Sequence, residues 1–153
     1  MPKRRDQVRM TPAEVDAFLH GRHTMNIATI NHDGTIHLVA MWYGFVDGDP
    51  VFETYARSQK VLNLRRDPRL TALVEDGDAY ENLRGVELVG TGEVIESRDV
   101  IQAAAEDVVH RYLDLPDGTD VADIAAAMSA KRVAIRVRAE KVVSWDHRKL
   151  PTG

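Results

Sequence analysis

The chain has 153 residues and no cysteine, which fits one domain and excludes a disulfide scaffold, a thiolate metal site and a cysteine nucleophile. Hydrophobic residues make up 44% of the chain and charged residues 29%, a composition typical of a folded globular protein. The formal net charge of -4 does not favour nucleic acid or an anionic membrane as a partner, so any bound anion needs a local cluster of cations.

Residues 1–10 are predicted to form a flexible N-terminal tail, because they carry charge with no apolar segment behind them. No apolar run approaches the roughly 20 residues that span a bilayer, and a cytoplasmic location is expected. The first helix is predicted to begin after Thr11, because Thr11, Pro12 and Glu14 have the spacing of a capping box with a first-turn proline.

Strands are predicted at residues 25–30, 35–46 and 51–55, separated by turn sequences rich in aspartate and glycine. In the second of these strands both alternating sets of side chains are mostly apolar, which indicates a strand covered on both faces. In a small barrel, one face of such a strand fills the interior and the other meets a helix, a ligand or a partner subunit.

The second half of the chain begins with a short predicted helix that starts at Ser58 and ends before Pro68. Two strands at 69–75 and 85–96 follow, then two helices ending near residues 113 and 130, and a last strand from Arg132 whose alternate residues are charged. Because tight turns join most of the strands, antiparallel pairing is expected. The pattern therefore predicts a small antiparallel barrel with helices packed outside it.

The strongest candidate for chemistry is the junction between a strand and a helix at residues 57–60. Free backbone N–H groups at a helix start favour an anion, and Arg57, Lys60 and the Ser58 hydroxyl could bind a phosphate together with them. On spacing alone, an ordinary helix cap with two solvated cations explains the same residues.

Other chemical motifs are weaker. The six histidines have no zinc-binding spacing, so no metal site is predicted. His37 lies within a strand, where a hydrogen-bonded structural role competes with a role near a ligand. Trp42 and Trp145 could stack on a ring system, but taken singly each is better explained as a packing residue.

Five segments of the chain, taken together, match the pattern of a known family. They are Ala40-Met41-Trp42-Tyr43, Val51-Phe52-Glu53-Thr54, the stretch from Ser58 to Arg69, Gly90-Thr91-Gly92-Glu93-Val94, and residues 136–145. The chain resembles the pyridoxamine 5′-phosphate oxidase-like split-barrel superfamily, and within it the flavin/deazaflavin-dependent oxidoreductases of actinobacteria. The resemblance covers residues 11–149 and implies one mainly β (α+β) domain, a six-stranded antiparallel split β-barrel with flanking helices.

The resemblance also implies a homodimer with a cofactor, coenzyme F420 in preference to FMN, in a groove at the interface. By position, the cofactor-binding residues it implies are Val39, Ala40, Met41 and Trp42 along the ring, Thr54 beneath it, Arg57, Ser58, Gln59 and Lys60 at the phosphate, Asn63 supporting that loop, and Trp145 closing the groove from the other subunit. Ala40 departs from the family pattern, because relatives often have proline there.

The function implied by the resemblance is an oxidoreductase that transfers a hydride between its cofactor and a small conjugated organic substrate. The main alternative is a split barrel that carries a cofactor or tetrapyrrole without turning it over. Pyridoxamine 5′-phosphate oxidation itself is a lower-ranked alternative, because the substrate-binding arginine and histidine of that enzyme are not found, although His147 and Arg148 lie near the expected region.

Overall fold

The computed structural model describes residues 1–151, and its strands form one curled antiparallel sheet that makes a half-barrel. The strands are β1 (Met25–Ile30), β2 (Ile36–Met41), β3 (Gly44–Val46), β4 (Asp49–Tyr55), β5 (Arg69–Asp76), β6 (Arg84–Ile95) and β7 (Arg132–Asp146). The helices are α1 (Arg4–Val8), α2 (Pro12–Leu19), α3 (Gln59–Arg66), α4 (Arg98–Tyr112) and α5 (Val121–Ser129). The strand order is β2-β1-β5-β6-β7-β4-β3.

The mainly β class with flanking helices is confirmed, but residues 1–151 contain seven strands where six were expected. The predicted strand at 35–46 is divided at Trp42 and Tyr43 into β2 and β3. The division has a topological cause, because β2 lies at one end of the sheet order and β3 at the other. Tyr43 is fully buried at the crossing, where its hydroxyl donates to the carbonyl of Leu19.

The main core fills the inside of the half-barrel. Met25 and Ile27 of β1 pack there with Phe52, Val86 and Ile135, and all five are fully buried. On the other face of β4, Val51 packs against Ile101 and Ala104 of α4. Each strand therefore buries the side chains that its alternation assigns to the inside, and α4 covers the outer face near β4.

The helices begin where the sequence indicates. The capping box at the start of α2 is confirmed, with Glu14 N–H donating to the Thr11 hydroxyl and Thr11 N–H donating to the Glu14 carboxylate. Within residues 1–151 the longest helix is α4, with 15 residues, and no helix is both long and apolar enough to cross a membrane.

The first ten residues contain a helix and buried side chains where the sequence predicted a flexible tail. In the expected tail of residues 1–10, Arg4–Val8 form α1, and Val8 and Met10 are buried. At the other end, the segment after residue 143 continues β7, so that Trp145 pairs with Gly85. The two ends meet, because the N–H of Met10 donates to the Ser144 hydroxyl at 3.0 Å. This long-range contact has no local sequence signal.

A β-bulge between β6 and β7, with Glu140 of β7 as the extra residue opposite Val89 and Gly90, gives a first testable prediction. A Cβ atom on Gly90 would lie 1.9 Å from the carbonyl oxygen of Arg138, and because that atom belongs to the backbone it cannot rotate away. We expect Gly90→Ala to lower the free energy of unfolding by about 2–3 kcal/mol in urea titration. Thr91→Ala, at the next position, is the control, and an equal loss there would contradict the steric explanation.

Candidate functional site

The α3 corner, residues 57–60, joins the end of β4 to the start of α3. Ser58 occupies the N-cap position with extended backbone, but its side chain makes no capping hydrogen bond. Its hydroxyl instead accepts a hydrogen bond from Thr54 at 3.2 Å. The N–H groups of the first turn of any α-helix lack helical partners, so this corner presents free backbone donors beside a free hydroxyl.

Lys60 is the most unusual residue of the corner. It is 8% exposed, and its ammonium group has no hydrogen bond or ion pair with any residue in 1–151. Burial lowers the pKa of Lys60, and the nearby positive charge of Arg132 lowers it further. A lysine this little exposed is normally paired, so an ammonium group without a counter-charge indicates a place for an anion.

Asn63 supports the corner from below, and its side chain is fully buried. Its amide nitrogen donates to Thr29 at 3.0 Å and to Asn31 at 2.9 Å. Its oxygen accepts from Gln59 at 2.8 Å and from Arg66 at 3.1 Å. With four hydrogen bonds the amide is fully occupied, so Asn63 positions the corner and has no donor left for a ligand.

Asn63 is the residue that joins the four hydrogen bonds beneath the corner, the hub, and this role can be tested by mutation. Asn63→Ala is expected to lower the free energy of unfolding by about 2–4 kcal/mol, because it leaves buried partners without hydrogen bonds. Gln59→Ala removes one of the same bonds at an exposed position, and we expect a loss below about 1 kcal/mol. Urea titration of both variants measures the difference, and equal losses would show that Asn63 is not the hub.

The other residues of the corner lie at its rim. Arg57 and Gln59 are exposed, and the Gln59 amide is directed at Asn63. Arg57 has no ion pair with any residue in 1–151, so it is available as a second cation on the solvent side.

The predicted ring segment, residues 39–42, alternates between the two faces of β2. Val39 and Met41 pack against the inner core, whereas Ala40 and Trp42 are exposed on the outside. The Trp42 ring stacks on Tyr112, with centroids 4.8 Å apart and planes 7° from parallel. Trp42 therefore offers a fixed, partly exposed aromatic surface.

A cavity of about 280 Å³, the side cavity, lies beside Ala40, Met41 and Trp42. Glu53 of β4 and Arg132 of β7 also line it. Arg132 pairs with Tyr55 at the end of β4, so the side cavity and the α3 corner both adjoin that end of the strand.

The sequence reasoning missed Glu53 and Arg132. Glu53 is 4% exposed; its carboxylate accepts from the Ser129 hydroxyl at 2.9 Å and from Arg132 at 3.4 Å. Burial raises the pKa of Glu53, while Ser129 and Arg132 oppose that rise. The available signal was one acidic residue in the apolar run 51–54. The sequence placed Arg132 on a charged outer face. Arg132 does lie on the outer face, but its guanidinium packs over the Tyr55 ring, 4.9 Å from the centroid, instead of extending into solvent.

Trp145 is not brought to this site within one chain. Arg132 and Trp145 lie at opposite ends of β7, and Trp145 covers Gly85 on the outside of the sheet. A Cβ atom on Gly85 would lie 2.1 Å from the indole, so the glycine makes room for it.

Comparison with known proteins agrees with this fold. The family model described as pyridoxamine 5′-phosphate oxidase matches residues 11–146. The crystal structure of Rv2991 from Mycobacterium tuberculosis is 41% identical, with a TM-score of 0.89 over 99% of this chain and 96% of that one. An F420 reductase is 26% identical, with a TM-score of 0.62 over 83% of this chain and 94% of that one.

HutZ, the heme storage protein from Vibrio cholerae, shares the fold at 12% identity, with a TM-score of 0.67 over 87% of this chain and 94% of that one. No curated protein matches the chain. Since the family model spans most of the sequence and the related structures share its fold, the chain belongs to the pyridoxamine 5′-phosphate oxidase-like split-barrel family.

Proposed function

We propose that the protein is an oxidoreductase that binds a phosphate-bearing, flavin-like cofactor and exchanges a hydride with a small conjugated organic substrate. The observation that carries the proposal is Lys60 at the start of α3, which is only 8% exposed and whose ammonium group has no carboxylate partner within residues 1–151. Of the two expected cofactors we favour coenzyme F420 over FMN.

A phosphate at the α3 corner would supply the counter-charge that Lys60 lacks. It would accept hydrogen bonds from the first-turn backbone N–H groups, from the Ser58 hydroxyl and from Lys60. Arg57 at the rim would add a second positive charge. Thr54 and Asn63 would not touch the phosphate, since their hydrogen bonds hold Ser58 and the loop in position.

The side cavity suits a flat conjugated ring. Its lining includes the apolar residues Val108 and Met128 together with Trp42. The cofactor supplies the hydride chemistry when it is bound. The protein then needs to hold the ring, orient its edge and exclude water, which agrees with a sequence that has no acid–base or nucleophile motif.

The preference for F420 rests on the 26% identity to an F420 reductase. FMN remains in the proposal because the fold is shared with an FAD-binding protein of Mesorhizobium loti. A cytoplasmic location remains the expectation from the sequence.

The proposal includes a homodimer. A row of cross-strand neighbours with small or apolar side chains lies on the outside of the sheet, and we call it the outer row: Leu38, Ala28, Thr71 and Val89. Leu38 is 67% exposed in the single chain, and a second copy would cover it. Trp145 lies on the same outer face. Its cross-strand partner is Gly85, and Gly85 and Val89, four residues apart in β6, have the same side-chain direction. In the dimer we propose that Trp145 of the partner subunit closes the groove.

Titration of the purified protein with F420 and with FMN, followed by fluorescence, tests the cofactor proposal. We expect saturable binding of at least one of them, with F420 the tighter. Binding of neither cofactor would contradict the proposal. Oxidation of the reduced cofactor with a panel of conjugated acceptors then tests turnover.

The carrier alternative is favoured by the heme storage protein that shares the fold. Tight cofactor or heme binding with no turnover on any acceptor would support it. Conversion of pyridoxamine 5′-phosphate in the presence of FMN would instead support oxidation of that substrate.

A further inference from the structure

Glu53 and Arg132 form an incompletely satisfied pair in the side cavity. One carboxylate oxygen, Oε2, accepts from the Ser129 hydroxyl at 2.9 Å. The other, Oε1, meets only Nη1 of Arg132, at 3.4 Å, which is long for a charge-assisted hydrogen bond. Oε1 therefore keeps capacity to accept a further donor.

The Arg132 guanidinium also has an unused donor. Its Nη2 has no hydrogen-bond partner among residues 1–151, and the side chain is 26% exposed. Since Arg132 lines the cavity, this free donor can meet an acceptor on a ligand bound there. Glu53 thus offers a free acceptor and Arg132 a free donor, and both residues line the cavity.

The position of the pair is fixed by the fold. Glu53 lies opposite Ala134 in the β4–β7 ladder, and Arg132 lies opposite Tyr55, so both side chains are on the same outer face. The Arg132 guanidinium lies over the Tyr55 ring, and Ser129 at the end of α5 holds the Glu53 carboxylate. Both groups are therefore pre-oriented before any ligand arrives.

We propose that Glu53 and Arg132 recognise an amide-type edge, an N–H group beside a carbonyl, on the ring bound in the side cavity. Glu53 accepts the N–H, and Arg132 donates to the neighbouring carbonyl oxygen. A ring without that N–H leaves the buried carboxylate unpaired. Such a site therefore distinguishes rings with the N–H from rings without it more strongly than an apolar pocket would. The inference rests on the proposed function, and it identifies Glu53 and Arg132 as the residues that determine which ring is bound.

Phosphate-free probes separate this inference from the α3 corner. Riboflavin and 3-methylriboflavin share one ring system, but only riboflavin has the imide N–H. We expect the wild-type protein to bind riboflavin about 10-fold or more tighter than its methyl derivative in fluorescence titration. In Glu53→Ala and in Glu53→Leu, which both remove the acceptor, the ratio of the two dissociation constants is expected to fall below about 3. Using two variants guards against one that fails to fold, which circular dichroism detects.

Lys60→Met is the matched control, because it is expected to weaken FMN binding and leave the riboflavin ratio at its wild-type value. A wild-type ratio near 1, or a ratio unchanged in the folded Glu53 variants, would overturn the inference. If that happens while FMN binding still depends on Lys60, the proposed function stands without it. Suppose that the preference for riboflavin over 3-methylriboflavin depends on Glu53, but FMN binds equally well to the wild type and to Lys60→Met. That result would support the inference and contradict the phosphate site. Failure of riboflavin, FMN and F420 alike to bind would overturn both.

Discussion

Lys60→Met is expected to stabilise the cofactor-free protein while weakening the binding of a phosphate-bearing cofactor by about 10- to 150-fold. The two effects have one cause, since the ammonium group is partly desolvated and has no counter-charge until an anion arrives. We expect the melting temperature to rise by about 2–4 °C, equivalent to about 1 kcal/mol for a domain of this size. Calorimetry and fluorescence titration measure the two effects, and Lys3→Met provides the same charge change at an exposed position.

The pH dependence of that stabilisation follows from the direction of the pKa shift. Burial lowers the pKa of Lys60 in the folded state, so folding is penalised wherever the side chain must be charged. The gain of Lys60→Met is therefore complete below the folded pKa and fades as pH rises towards the ordinary lysine value of about 10.4. A variant that melts lower and binds cofactor unchanged would show that Lys60 has a purely structural role.

Leu38→Asp is expected to convert the proposed dimer into a monomer, with a dimer dissociation constant at least about 100-fold higher. A two-fold interface contains the substitution twice, and each carboxylate would be buried in the apolar outer row without a partner. Sedimentation velocity measures the change. Cofactor binding should weaken in parallel, because the groove would lose its second wall.

Leu115→Asp is the matched control, since Leu115 is 37% exposed in the segment between α4 and α5, away from the outer row. It should leave both the assembly and the affinity unchanged. A wild-type chain that sediments as a monomer at micromolar concentration would contradict the dimer, as would a Leu38→Asp protein that remains dimeric.

Local patterns in the sequence predicted the elements well. The capping box at Thr11 and the glycine in the middle of β6 both have the structural role that their chemistry indicates. The apolar alternation of residues 36–42 predicted two covered faces, and the inner face is covered by the core. The outer face, with Leu38 and Trp42, is exposed in a single chain, and the dimer proposal supplies its cover.

Contacts between distant strands were not predicted. Glu53 and Arg132 meet only because β4 pairs with β7 across a separation of 79 residues, as the hydrogen bond between them records. No periodicity in either strand reveals which strand lies next to it. The same holds for Trp145, whose pairing with Gly85 follows from the register of β6 and β7. The sequence could therefore identify the α3 corner, which is local, but not the cavity beside it.

The central claim is that Lys60 and the start of α3 hold the phosphate of the cofactor. A crystal structure of the protein grown with excess F420 tests it most directly. We expect the phosphate within hydrogen-bond distance of Lys60 Nζ and of the first backbone N–H groups of α3. Bound F420 with its phosphate elsewhere, and only solvent at Lys60, would contradict the claim.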